Sequence, residues 1–153
     1  MVAVPRGGHT ATLLFDGRVL ITGGENESGA LDNAELYDPA TGRWAYGGNL
    51  GQHRQHRAVL LMNGKVLIVG GLETHPDIAA GPRLYDPATG AFNLVGGTLF
   101  FIESAEPVLL PDGSVLIRNP LARLAPRADR VYNPGGLAEA RRPIVTSGPP
   151  SIS

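Results

Sequence analysis

Short apolar runs of four to six residues, separated by turn residues at fixed offsets, fill most of the chain. The first two are Thr10-Ala11-Thr12-Leu13-Leu14-Phe15 and Arg18-Val19-Leu20-Ile21-Thr22, joined by Asp16-Gly17. Such a pair predicts a β-hairpin, since Asp-Gly tolerates the positive φ of a type I′ turn. The sign returns as Asn63-Gly64 and Asp112-Gly113. The runs that follow those turns, Val66-Leu67-Ile68-Val69 and Val115-Leu116-Ile117, are apolar at every position rather than alternating. Strands of that kind are covered on both faces.

A polar connection follows each hairpin, residues 25–33 in the first case and 72–82 in the second, and loops of this kind are where function tends to reside. Then comes a third strand, Ala34-Glu35-Leu36-Tyr37, ended by Asp38-Pro39-Ala40-Thr41-Gly42. Here Asp38 can bond its own downstream backbone, Pro39 fixes φ, and Gly42 lets the chain reverse. The heptapeptide Leu36-Tyr37-Asp38-Pro39-Ala40-Thr41-Gly42 returns letter for letter as Leu84-Tyr85-Asp86-Pro87-Ala88-Thr89-Gly90, and a worn copy follows as Val131-Tyr132-Asn133-Pro134-Gly135-Gly136. The interval of roughly 47 to 49 residues lies in the range of solenoid and propeller repeats. A fourth strand is expected at Arg43-Trp44-Ala45-Tyr46 and at Ala91-Phe92-Asn93-Leu94-Val95, so each unit should be four antiparallel strands. Residues 121–125 and 137–142 could form a helical turn or two before Pro126 and Pro143 stop them.

Composition changes this picture little. With 153 residues, 42% of them hydrophobic, the chain can bury one sizeable core. Its 21 glycines and 13 prolines fall at turn offsets rather than in low-complexity runs. A formal net charge of -1 gives no whole-chain case for nucleic acid or an anionic membrane. No apolar run approaches the ~18 residues of a membrane helix, and the start, from Met1 to Gly8, has no basic leader followed by an apolar run, so no signal peptide is expected. The absence of cysteine removes disulfides, thiolate metal sites and thiol nucleophiles. Residues 146–153 read as a flexible tail.

Gly-Gly closing the second strand, Tyr in the third and Trp or Phe opening the fourth resemble the kelch repeat. The residues are Gly23-Gly24, Tyr37 and Trp44 in unit one, Gly70-Gly71, Tyr85 and Phe92 in unit two, and Tyr132 alone in unit three, where Asn119-Pro120 stands in place of the glycines. The wording His9-Thr10-Ala11-Thr12-Leu13-Leu14 before Asp-Gly is also similar to bacterial kelch proteins and galactose-oxidase-like propellers. The resemblance implies an all-β fold, a β-propeller of four-stranded antiparallel blades at about 6–50, 51–98 and 99–142, with Tyr37, Tyr85 and Trp44 wedged between blades. Propellers close with four to eight blades, so three should not persist alone. An uncovered blade face of roughly 300 Å² forgoes about 7 kcal/mol at ~25 cal/mol/Å². Either two chains close a six-bladed ring, or further blades belong to a larger one.

The loops after second strands and the segments leading into first strands share one side of such a disc, the side that kelch-like propellers use for ligands. It would carry Arg6, His9, Glu25, Asn26, Glu27, His53, Arg54, His56, Glu73, His75 and Asp77. His53 and His56 with Glu73 and His75 come nearest to a metal cluster, but histidines three apart on an extended strand point to opposite faces, so neither a metal nor a cofactor is expected. The galactose-oxidase-like resemblance implies copper and a tyrosine linked to cysteine, and the chain has no cysteine to supply it. No Gly-x-Ser-x-Gly and no phosphate loop are present. The expectation is a non-catalytic module binding a protein or carbohydrate ligand, with a sugar-processing propeller domain, or a fragment without activity of its own, as alternatives.

Overall fold

The computed structural model describes residues 3–73, 81–95, 105–118 and 130–132. Every regular element among them is a β-strand. The first sheet has the order β1-β2-β5-β6, from β1 (Thr10–Leu13), β2 (Val19–Thr22), β5 (Asn33–Asp38) and β6 (Arg43–Asn49). A small ribbon of β3 (Glu25–Asn26) and β4 (Gly29–Ala30) grows from the loop after β2. The second sheet runs β8 (Arg57–Leu60), β9 (Val66–Val69), β11 (Arg83–Asp86) and β12 (Ala91–Leu94). Its satellite ribbon pairs β7 (His53–Arg54) with β10 (Leu72–Glu73). The third sheet shows β13 (Glu106–Leu109), β14 (Val115–Arg118) and β15 (Arg130–Tyr132). All pairings are antiparallel. Units one and two thus have their four expected strands. The expected helical turns at 121–125 and 137–142, the Asn119-Pro120 exception and the tail at 146–153 lie outside the described residues.

β8 packs beside β1 on one side and β13 on the other, while β12 lies against β6. First strands are therefore grouped together and fourth strands together, as in blades set side by side around an axis. The wholly apolar β9 shows why such sheets need neighbours on both faces. Val66 and Ile68 join Leu14, Leu20, Ala34, Leu36 and Tyr85 in a core between the first two sheets. Leu67 and Val69 point the other way, into a core with Ala105, Val115 and Ile117 of the third.

Cross-strand partners share a face, and the register defines one row that all three sheets repeat. It is Leu13, Val19, Tyr37, Trp44 in the first, Leu60, Val66, Tyr85, Phe92 in the second, and Leu109, Val115, Tyr132 in the third. In the second and third sheets this row faces the preceding sheet. The expectation that Tyr37, Trp44 and Tyr85 all fill seams therefore holds for Tyr85. Tyr37 and Trp44 lie on the face that points away from the second sheet, packed on each other at 4.9 Å between ring centroids.

The hairpin turns differ from the expected type I′. Leu14 and Arg18 close a three-residue loop: Leu14 N–H donates to the Arg18 carbonyl at 2.8 Å, and Gly17 N–H to the Leu14 carbonyl at 3.1 Å. Only the glycine has positive φ, 87° at Gly17, 83° at Gly64 and 83° at Gly113. The aspartate or asparagine instead accepts a bond from the backbone two residues on, at 2.9 Å in Arg18, 3.0 Å in Lys65 and 2.9 Å in Ser114. That is the type I turn with a left-handed bulge residue, the usual three-residue hairpin. The Asp-Pro-Ala-Thr-Gly turns form as expected. Asp38 accepts from Ala40 N–H at 2.9 Å and Asp86 from Ala88 N–H at 2.9 Å, with Gly42 and Gly90 left-handed.

Tyr85 is fully buried, yet its phenol oxygen has no hydrogen-bond partner among the described residues. Its value must therefore lie in the ring, tilted against Phe92 at 4.7 Å. Tyr85→Ala should cost at least about 3 kcal/mol in urea unfolding, whereas Tyr85→Phe should stay within about 1 kcal/mol of the parent or exceed it. A large loss in the phenylalanine variant would show that the hydroxyl, not the packing, is what matters.

Candidate functional site

At one end of the sheets the chain enters each first strand and leaves each second strand. In unit one the two pass as a bridge, Gly7 and Glu25 exchanging N–H···O=C bonds of 2.8 Å each way. In unit two the same crossing is the β7–β10 ribbon, with Arg54 opposite Leu72 and His53 opposite Glu73. The second lead-in segment also clasps the first sheet. Gly24 N–H donates to the His53 carbonyl at 2.8 Å, His53 N–H to Leu31 at 3.3 Å, and Gln55 N–H to Gly8 at 3.1 Å.

This clasp explains the paired glycines. Gly23 and Gly24 have φ of 58° and 92°, and a methyl group on Gly23 would run into the His53 carbonyl and the His56 ring. A methyl on Gly24 would lie 2.6 Å from the Gly7 oxygen, and one on Gly71 2.8 Å from the Arg54 oxygen. Only glycine accepts both the left-handed backbone and the close approach.

The predicted ligand residues divide by what the fold does with them. Arg6 is consumed by the structure. Its guanidinium donates to the carbonyls of Gly23 at 2.8 Å and Asn33 at 3.1 Å, to the Asn33 side chain at 3.1 Å, and to Glu35 at 2.8 Å. Both ends of this ion pair are almost wholly buried, and the Glu35 carboxylate also accepts from Val4 N–H. Sequence reasoning missed Glu35, although a carboxylate in the middle of an apolar strand signals that a cation must reach it.

His53 and His56 are buried as well. An extended strand would put them on opposite faces, but Gln55 between them is left-handed, with φ of 58°, and turns both rings into one seam, edge to face at 6.2 Å. His56 Nε2 sits 2.9 Å from the Thr22 hydroxyl and 3.1 Å from that of Thr10, while its Nδ1 has no partner among the described residues. His53 Nδ1 approaches the Gly51 carbonyl at 3.3 Å. Burial lowers the pKa of both rings. His53 falls below 6.5 through desolvation, with Arg83 adding to the fall and the Gly51 carbonyl opposing it. His56 is pushed down to about 4 by desolvation first, then by His53, His9 and Arg57. Both rings are therefore neutral at pH 7 and act as packing groups between the first two sheets.

What remains near solvent is Glu25, Asn26, Glu27, His9 and Arg54. Glu27 and His9 are exposed, and Asn26 accepts Ser28 N–H at 2.8 Å to shape the β3–β4 turn. Arg54 of the second lead-in donates to Glu25 of the first loop, joining the two units. Glu73 has its backbone in β10, and His75 and Asp77 lie outside the described residues. Among the described residues no group of three His, Cys, Asp or Glu is arranged to hold a metal ion.

A cleft of about 260 Å³ opens at the opposite end, between the first hairpin tip and the turns of unit two, lined by Leu14, Phe15, Asp16, Asn63, Lys65 and Asp86 among others. Its charges are already matched. Asp86 pairs with Lys65 at 3.1 Å and Asp16 with Arg18 at 2.7 Å. The Asp16 carboxyl is held below its usual range by the Arg18 side chain, and that of Asp86 by the Ala88 N–H and then Lys65.

Comparison with known families gives a match between residues 6–51 and the Kelch motif. The matched stretch runs from Arg6 through β6 to Gly51, one whole four-stranded sheet with its lead-in. No curated protein matches the chain.

Two stability predictions follow from the buried groups. Arg6→Ala strands Glu35 without its cation and should cost about 3–5 kcal/mol, whereas Arg6→Met with Glu35→Leu should recover most of that in chemical denaturation. For His56, the unfolded chain takes up a proton below pH 6.5 that the folded chain refuses until about pH 4. Its contribution is therefore complete above pH 6.5 and lost as pH falls toward 4, roughly 2 kcal/mol of it by pH 5. Urea midpoints at pH 7.5 and 5 should diverge in the parent and diverge less in His56→Asn, where buried His53 still resists protonation; an equal divergence in the variant would remove His56 as a cause.

Proposed function

We propose that this chain, whose residues 6–51 match the Kelch motif, is a non-catalytic binding module whose loop-bearing end receives a protein ligand. The Glu25–Arg54 pair is the observation that carries this reading. It spans two units, is 40% and 34% exposed at its two side chains, and stands beside exposed Glu27 and His9. An ion pair this open adds little to the fold. Its charges can instead exchange partners with complementary charges on a ligand, where they set orientation and encounter rate. The backbone ribbons β3–β4 and β7–β10 hold these side chains on a scaffold fixed by the clasp and the buried Arg6–Glu35 pair.

A sugar-processing active site has less in its favour. It would need a carboxylate or histidine with a displaced pKa facing a cleft beside a partner. Among the described residues, the carboxylates with displaced pKa, Asp16 and Asp86, line the cleft at the other end, where the Arg18 side chain and, for Asp86, the Ala88 N–H and Lys65 hold them ionised and weakly basic, while the histidines with displaced pKa, His53 and His56, are buried in the fold. As a set of three blades the module would complete its ring with further blades.

Screening the chain against arrayed peptides and arrayed glycans tests the reading. Peptide ligands should lose at least about tenfold in affinity for Arg54→Glu while the melting temperature stays within about 2 °C, since a surface pair is all that changes. Ligands that bind Arg54→Glu unchanged, or binding confined to glycans, would overturn it.

A further inference from the structure

The repeated row of Leu, Val and Tyr is closed in the second and third sheets and open in the first. Val66 and Tyr85 of the second sheet, and Val115 of the third, are completely buried by the sheet before them. At the same positions in the first sheet, Leu13 is 64% exposed and Val19 and Tyr37 are only half-buried. On that face Val4 N–H and the Arg6 guanidinium bond to Glu35.

Two further features repeat the difference. The tip of each hairpin lies over the turn glycine of the next one, Phe15 within 3.4 Å of a methyl placed on Gly64 and the Met62 sulfur within 3.3 Å of one placed on Gly113. Above Gly17 no described residue comes within 4 Å. The clasp is unmatched too. His53 N–H, His53 C=O and Gln55 N–H all bond to the preceding unit. One repeat earlier stand Arg6 N–H, Arg6 C=O and Gly8 N–H, and no described residue bonds to them. Gly8 even shares the left-handed backbone of Gln55, with φ of 64° against 58°. An apolar row, a bare turn glycine and three backbone groups thus sit in the register that a preceding blade fills elsewhere in the same chain.

The third sheet presents the complementary surface. Val108 and Leu116 pair across β13 and β14 as Val59 and Leu67 pair across β8 and β9. Val59 and Leu67 are packed against the third sheet, whereas Val108 is 44% exposed.

We propose that the free face of the first sheet is a docking surface for a second copy of this chain, whose third sheet packs its Val108 and Leu116 face onto Leu13, Val19, Tyr37 and Trp44. The contact is head to tail, so two copies make it twice, and six blades then close a ring of a size that propellers adopt. The inference rests on the reading of the chain as an incomplete ring and names what completes it. The ligand end described above is at a different place, so peptide binding and self-association can fail separately.

Analytical ultracentrifugation of the intact chain from 1 to 100 μM tests the proposal, with Trp44→Arg at one end of the chain and Val108→Arg at the other. The parent should be a dimer, and each variant a folded monomer by circular dichroism with at least a hundredfold weaker association. Mixing the two variants should restore heterodimers, because the intact third sheet of the Trp44→Arg copy meets the intact first sheet of the Val108→Arg copy. A parent that stays monomeric at 100 μM overturns the second copy as occupant. A dimer that survives both substitutions, or variants that do not recombine, overturns the assignment of these faces.

Discussion

Everything in this fold depends on sheets that are apolar on both sides. Val66 and Ile68 bury toward one neighbour while Leu67 and Val69 bury toward the other, so β9 has no side it could show to water. A strand with that composition is stable only inside a stack, and the stack is the unit in which the energy of this protein must be counted. The hydrophobic term is large but unspecific. Orientation comes from the clasp, in which three backbone bonds and two close-fitting glycines fix how one sheet meets the next.

The repeat made the architecture legible. Two identical heptapeptides, three turn pairs and Gly-Gly at matched offsets are local signals, and local chemistry decides turns and strands. The structure departs from the sequence reading where the outcome depends on a neighbour or on a single dihedral. Asp-Gly suits several hairpins, and the choice of a three-residue loop becomes visible only in the bond from Leu14 to Arg18. The histidines share a seam because Gln55 is left-handed, which no side-chain pattern announces for a glutamine. Trp44 carries the same aromatic chemistry as Phe92 yet has a different environment, since environment is set by what lies before the sheet rather than within it.

The candidate site was legible to the extent that loops were predicted to converge. Arg6 and Glu25 share that end of the unit and carry charges of opposite sign, but their burdens differ. Arg6 answers a carboxylate 29 positions away and is withdrawn from solvent, while Glu25 answers Arg54 at the rim. One repeat later the positions of Arg6 and Glu35 are occupied by His53 and Arg83, and there the ring gives up its charge instead. The same structural slot is thus filled by an ion pair in one unit and a neutral ring beside a cation in the next. Similarity of sequence across the repeats preserved the backbone and left the polar contents of the slot free to vary.

The clasp between Gly24 and His53 joins residues less than one repeat apart. Long-range order in this chain is consequently assembled from short loops, each closed at modest entropic expense. A lesion in one seam is passed on only through the sheet next to it and fades with each sheet beyond. Architecture of this kind lends itself to growth by gene duplication, because an added unit arrives with its own front and back and only the angle at which the ring closes must be set anew.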